Sequence, residues 1–352
     1  MSEVPKKPIL STLLKYVIPL IVSVGLCWLL FTGIDFDGMI DTIRRQCDFR
    51  WIGLALFLSI FSHVFRALRW QIQLRALGIT PPLYALVYSI FGTYAVNLVF
   101  PRLGEVWRTG YIAQRQNAPF TKVFGSMLAD RLTDMLTVLT LTLLAFVLAS
   151  GSIMRFLAEN GEAYAAVGRI LKSPWLWAAA VVCVAALWWF MARSTTNRLA
   201  LKVKNIIKDL WTGFIVIGRM PGKGLWLLWT VALWGCYFVQ LYVAFFAFPF
   251  TAAIVAQHGI VAVLVTFVLS SISMGVPSNG GIGPWQWAVI FALGIYGLGK
   301  AEAGAFANLV LGTQTLLLVI LGIFTFAAIA LDRRGHRTAA GSTGGTPNQN
   351  KQ

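Results

Sequence analysis

The chain has 352 residues, 58% of them hydrophobic and only 12% charged, with a formal net charge of +16. A mean hydropathy of +0.73 excludes an ordinary soluble enzyme and predicts an all-α, polytopic membrane helix bundle. In such a chain a basic balance fits cytoplasmic loops and anionic lipid headgroups, not nucleic acid.

Runs of about 20 apolar residues cross a bilayer as helix. Lys6, Lys7 and Lys15 precede VIPLIVSVGLCWLLF, a run too long for a cleaved leader and lacking an A-x-A site, so it reads as an uncleaved signal anchor. Full crossings are predicted near 9–32, 51–69, 123–150, 174–192, 224–248 and 303–331. Two further apolar regions are interrupted. Residues 83–100 run to Pro101-Arg-Leu-Gly and return as a basic segment, a first hairpin over 83–117. Residues 259–275 run into GVPSNGGIGPWQ and return, a second hairpin over 259–298. Proline and glycine at each tip stop a straight helix. Between them, 193–223 carries apolar residues at helical spacing with Arg198, Lys202, Lys204 and Lys208 interspersed. That is the pattern of a basic amphipathic cytoplasmic helix on the inner leaflet; a solvated basic loop is the alternative. Residues 1–334 are thus one integral membrane domain, and 335–352 a polar tail expected to be disordered.

Charge threads the elements. With the N-terminus inside and both interrupted regions treated as re-entrant hairpins, 21 Lys and Arg lie inside and seven outside, while Arg131 falls within the membrane. That asymmetry obeys the positive-inside rule; ten full crossings would put the basic 193–223 segment outside, against it. The expected topology is six crossings and two hairpins entering from opposite sides, a pseudo-inverted repeat with both termini cytoplasmic in the inner membrane. Interrupted helices of this kind place free backbone groups at a midplane site, and irregular backbone is tolerated there only beside protein or a wet cavity.

Charged residues inside the apolar runs mark the candidate site, because each costs about 2.5–3.5 kcal/mol at bilayer depth on insertion scales. Arg66 and Arg69 share a helix face at i, i+3 and can grip a lipid phosphate or snorkel to the interface as anchors. At the first tip, Asn97, Arg102, Glu105 and Arg108 form either a charged headgroup site or a helix cap with an internal ion pair. Asp130, Arg131 and Asp134 lie in a crossing; Arg131 and Asp134 can neutralise each other at i, i+3, or the group can serve as a relay. At the second tip, Ser278, Asn279, Gly280, Gly281 and Gln286 surround a glycine-rich turn whose N–H groups can cradle an anion or simply pack closely.

No metal or cofactor is called for. Cys27, Cys47, Cys183 and Cys236 form no framework, and His63, His258 and His336 are scattered, which reads as structural. No Walker A, Ser-His-Asp, HExxH or DxD pattern occurs, so intramembrane catalysis has no support in the sequence.

Taken together, RALRW (66–70), N-x-x-x-P-R-L-G-E-x-x-R (97–108), D-R-x-x-D (130–134) and G-x-P-S-N-G-G-I-G (275–283) resemble the lysylphosphatidylglycerol synthase transmembrane-region family, also called flippase-like domain proteins. The resemblance covers about 9–331. Where the family's second tip often carries an acid after the glycines, this chain has Gln286. In the best-known members the membrane region is fused to a soluble aminoacyl-transferase domain and moves the product lipid to the outer leaflet. No such domain is expected here, so the resemblance implies lipid handling without lysyl transfer. The expected function is flippase-like translocation or binding of an anionic, phosphate-bearing lipid headgroup in a midplane cleft. The alternatives are a transferase acting on a lipid carrier, as the resemblance implies for archaeal relatives, and a non-catalytic partner of a lipid-modifying enzyme.

Overall fold

The computed structural model describes residues 36–151 and 220–342, apart from Pro101 and Pro277, with five isolated helical positions between 174 and 189. The expected crossings at 9–32 and 174–192, and nearly all of 193–223, lie outside the described residues. Ten α-helices and no strands are present among those described. They are α1 (Phe36–Gln46), α2 (Phe49–Ala76), α3 (Leu83–Val99), α4 (Leu103–Arg115), α5 (Phe120–Leu148), α6 (Lys223–Ala244), α7 (Pro249–His258), α8 (Ile260–Ser273), α9 (Pro284–Ile295) and α10 (Lys300–Ser342).

Four of these stretches are long and apolar enough to cross a membrane: α2, α5, Lys223–Ala247 and Lys300–Leu331. They match the crossings expected near 51–69, 123–150, 224–248 and 303–331. Their outward faces carry large apolar side chains, among them Met135, Leu139, Leu143 and Val147 on α5 and Ile323 on α10, all more than half exposed. A soluble protein does not display such continuous apolar faces; a lipid-embedded bundle must.

Local chemistry sets the boundaries. Asp48 caps α2 by accepting from the Arg50 N–H at 3.0 Å. Pro82, Pro119 and Pro249 stand at the starts of α3, α5 and α7, where the missing N–H has no helical partner to lose. Two stretches differ from the sequence expectation. A 3-10 turn (Phe245–Ala247) and α7 intervene between the crossing and the second hairpin. α7 meets α8 at a bend of 113°, which Gly259 permits at φ +67°. And α10 continues to Ser342, past Gly335, because no proline interrupts 331–342 and Ala339 and Ala340 favour helix.

The packing follows a two-fold exchange. Pair α2 with α6, α3 with α8, α4 with α9 and α5 with α10. Each hairpin packs on itself (α3 on α4, α8 on α9), and each returning helix packs on the span that follows it (α4 on α5, α9 on α10). Each leading helix packs on the other half's span (α3 on α10, α8 on α5). The helices that exchange with each other, α2 and α6, make the largest contact of all.

Two apolar cores result. One joins Ile52 and Ala55 of α2 with Phe245, Phe248, Phe267, Leu293 and Phe306. The other joins Ala67, Trp70 and Leu74 of α2 with Leu86, Ile90, Ile112, Val123 and Met127. At 1.5 Å per residue the two segments of α2 are about 18 Å apart, so the hairpins build their cores at opposite ends of the same helix. From the gap between those cores into the edge of the second, α2 carries buried polar residues: Ser59, Ser62, His63, Arg66 and Arg69.

Close approach within the first hairpin depends on Gly104. A Cβ there would collide with the Thr93 carbonyl and with the Asn97 side chain. Gly110, on the same helix, has nothing within 4 Å of its Cβ position. Gly104→Ala should therefore lower the melting temperature in detergent, by about 1–3 kcal/mol of stability as overpacking does. Gly110→Ala should leave it unchanged or slightly raised. Equal effects would show that the hairpin is not closed at Gly104.

Candidate functional site

The polar band of α2 meets α4 and α5 at mid-length. Arg66 Nη1 lies 2.9 Å from Asp134 Oδ2 and 3.5 Å from Asp130 Oδ2. Arg69 Nη2 lies 2.6 Å from Asp130 Oδ1 and 2.8 Å from Asp134 Oδ1. The i, i+3 spacing of the arginines and the i, i+4 spacing of the aspartates put both pairs on facing stripes. Arg108, from α4, stacks its guanidinium 4.5 Å from the Trp70 ring and reaches Asp130 Oδ2 at 3.8 Å. Trp70 is held by its indole N–H donating to Ser126 Oγ at 3.0 Å. Asp130 and Arg69 are completely buried, and Arg108 is 1% exposed. This is a dry ionic knot.

One edge of the knot is open. Arg131 Nη2 donates to Glu105 Oε1 at 2.5 Å, with side-chain exposures of 35% and 17%. Asn97 ties this edge to the first tip. Its Oδ1 accepts from the Gly104 N–H at 2.8 Å, and its Nδ2 donates to Glu105 Oε2 at 3.4 Å. Arg102, at the tip itself, adopts φ +62°, unusual for a residue with a side chain. It is exposed, and its Nη2 donates to the Gly275 carbonyl of the second tip at 2.6 Å.

The two tips therefore touch. A Cβ on Gly280 would sit 2.7 Å from Leu98 Cδ2. Gly280 and Gly281 both have positive φ, as the glycine-rich turn requires. Ser278 Oγ donates to the Val276 carbonyl at 3.4 Å, while Asn279 Oδ1 is buried without a hydrogen-bond partner. Gln286 is engaged within the second half. Its Oε1 accepts from the Gly283 N–H at 2.8 Å, capping α9, and its Nε2 donates to Asn308 Oδ1 on α10.

Several sequence expectations resolve differently. Arg66 and Arg69 do not snorkel outward as anchors would; both are buried against aspartates. The local Arg131–Asp134 pair is loose, at 3.8 Å, because Asp134 is taken by α2 and Arg131 by Glu105. Other participants carry no signal in the sequence. Tyr237 Oη lies 3.5 Å from Arg66 Nη2, 171 residues away. Gln314 Nε2 donates to Ser59 Oγ at 2.7 Å and its Oε1 accepts from Gln240 Nε2 at 3.0 Å. His63 is packed against Phe91 and Tyr94 with neither ring nitrogen bonded, and His258 lies against Tyr296. Cys47 and Cys236 are free thiols, and no His, Cys, Asp and Glu group among the described residues is arranged to hold a metal.

The sequence matches the family defined as the lysylphosphatidylglycerol synthase TM region over residues 16–322. The chain belongs to this family. It is a multi-pass membrane protein, and all the charged residues of the knot and both tips fall within the matched region. A UPF0104 membrane protein of Pyrococcus horikoshii is 27% identical over 139 residues, 38% of this chain and 41% of that protein. A protein named glycosyltransferase AglD, of Haloferax volcanii, is 30% identical over 98 residues, 28% of this chain and 16% of that one. The chain thus spans well under half the length of both relatives.

Removing one partner from a buried ion pair strands the other, at about 3–5 kcal/mol, whereas replacing the whole pair by apolar groups is near neutral. Asp130→Ala should lower the melting temperature of the purified protein steeply. The double substitution Asp130→Leu with Arg69→Met should recover most of the loss. A double variant as unstable as Asp130→Ala would show that the knot is not held by charge pairing.

Proposed function

We propose that this protein binds a phosphate-bearing lipid headgroup at the open edge of the ionic knot and lets it cross the bilayer. The observation that carries the reading is the position of that edge. Arg131 and Glu105 are partly exposed, beside the place where the two hairpin tips meet through Arg102 and Gly275. Charged groups at bilayer depth mark substrate pathways by default, and a guanidinium suits phosphate. The acyl chains would stay in the lipid outside. With the hairpins re-entrant from opposite faces, a headgroup entering along the first would be passed to Ser278, Asn279 and the backbone of Gly280 and Gly281 at the second. The cores at opposite ends of α2 support that opposed arrangement, and charge asymmetry supports cytoplasmic termini.

A second reading is an enzyme working on a lipid carrier. One observation favours it: the similarity to the protein named as a glycosyltransferase. The matched stretch is a small part of that protein, so the shared part is equally well a membrane module serving a catalytic one.

Pure protein in vesicles separates the readings. Movement of a fluorescent phosphatidylglycerol between leaflets, without chemical change, supports translocation; a new product formed on a polyprenyl phosphate supports the enzyme. Arg131→Ala should reduce movement by about tenfold or more, the loss of one charge-assisted contact of 1.5–3 kcal/mol, while the protein still inserts. Unchanged movement would take Arg131 out of the path.

Sidedness is tested separately. In a background lacking the four native cysteines, Ser278→Cys should react with an impermeant maleimide added outside intact cells. Reaction only after the cytoplasmic face is opened would reverse the second hairpin.

A further inference from the structure

The charges of the knot do not balance. Its dry interior holds three guanidiniums, Arg66, Arg69 and Arg108, against two carboxylates, Asp130 and Asp134, and none of these side chains is more than 11% exposed. The outer pair, Arg131 and Glu105, cancels itself. Among the described residues one positive charge is left over. It falls on Arg108. Asp130 is its nearest carboxylate at 3.8 Å, already shared with Arg69 and Arg66. The Arg108 Nε and one of its Nη atoms are buried without a hydrogen-bond acceptor. Arg66 and Arg69 also keep unbonded guanidinium nitrogens, but each has a carboxylate oxygen within 3 Å, and Arg108 has none. The Trp70 face answers some of the charge but accepts no hydrogen bond in the guanidinium plane.

A carboxylate that can answer Arg108 is close by and otherwise engaged. Glu105 precedes Arg108 by three residues on α4, one helical turn along the same face. It is held by Arg131 instead, at the edge where the knot opens.

We propose that the knot is a receptor for one negative charge, and that Glu105 changes partner when the receptor fills. The anion's oxygens take Arg131 from Glu105. The freed carboxylate turns one helical turn to Arg108. Four guanidiniums then face three carboxylates and one bound anion, and no buried charge is left over. No covalent bond forms or breaks, and no proton need move. The ligand class follows from the count: a lipid with a single phosphodiester charge and an uncharged headgroup. A zwitterion brings a cation with no carboxylate left to meet it. A phosphomonoester or diphosphate brings further negative charge into a site that is already balanced. This deepens the headgroup reading above and rests on it only for assigning the anion to a lipid.

The test is binding to the full chain in uncharged detergent, read as the rise in melting temperature on adding lipid. The wild-type protein should be stabilised by phosphatidylglycerol at concentrations about tenfold or more below those needed for phosphatidylcholine or phosphatidic acid, since an unmatched buried charge costs several kcal/mol. Glu105→Gln raises the excess to two and should rank phosphatidic acid above phosphatidylglycerol. Arg108→Gln balances the interior and leaves Glu105 no second partner. Where it folds, it should lose the preference for phosphatidylglycerol over phosphatidylcholine, and a retained preference overturns the receptor. Equal stabilisation of the wild type by all three lipids, or an unchanged ranking in Glu105→Gln, overturns the one-charge receptor. Dimethyl phosphate matching phosphatidylglycerol keeps the receptor and overturns its assignment to a lipid. Charge-selective binding without leaflet movement in vesicles removes translocation and leaves the receptor standing.

Discussion

The bundle is organised by the need to keep guanidinium and carboxylate groups paired where water is scarce. Arg66 and Arg69 can be buried on α2 only because Asp130 and Asp134 face them from α5. That obligation fixes the rotation of both helices and pins α4 through Arg108. Buried ion pairs are weak evidence for stability, because desolvation offsets most of the attraction. Their effect here is on register. Rotating α2 by one residue would drive two arginines into the apolar core around Trp70 and Leu74, and no packing gain offsets that.

The two halves share a plan and differ in chemistry. Glu105 is the third residue of α4 and Gln286 the third of α9. Each reaches the span that follows it, Glu105 to Arg131 on α5 and Gln286 to Asn308 on α10. Gln240, the eighteenth residue of α6, meets Gln314 on α10; Arg66, the eighteenth of α2, meets Asp134 on α5. Where the first half has ions, the second has amides. Amide pairs satisfy one another's donors and acceptors with no net charge to desolvate, so the second half can close on itself. The first half cannot, and the imbalance is confined to one side of the pseudo-two-fold.

How much of this was legible in the sequence depends on the range of the interaction. The four described spans were, because about 20 apolar residues leave little choice of structure. The hairpin tips were, because proline and glycine act locally. The charged residues stood out against apolar flanks, and the family resemblance rested on those same positions. Their pairing was not legible. Spacing favoured Arg131 with Asp134, yet tertiary partners displaced that pair, as facing helices offer better geometry than a surface i, i+3 contact. Tyr237 and Gln314 were hidden because a lone tyrosine or glutamine in an apolar run is ordinary. The helix α7 was hidden because 249–258 is largely apolar like its neighbours, and the 3-10 turn before it and the bend at Gly259 leave no strong mark in the sequence. The amphipathic segment at 193–223 lies outside the described residues.

Rigidity and mobility are divided along α4. On its buried side Arg108, Thr109 and Ile112 are locked in the core, and Gly104 seats the helix against the backbone of α3. On its open side Glu105 keeps partial exposure and two partners, Arg131 and Asn97. A side chain whose neighbours are fixed can exchange one ion pair for another by rotating its own χ angles, without moving the helix. Glu105 therefore sits where such an exchange needs the least rearrangement. The groups on either side of it, Arg131 partly exposed and Arg108 buried, differ in access to solvent. Solvent reaches the first and not the second, and Glu105 is the carboxylate between them.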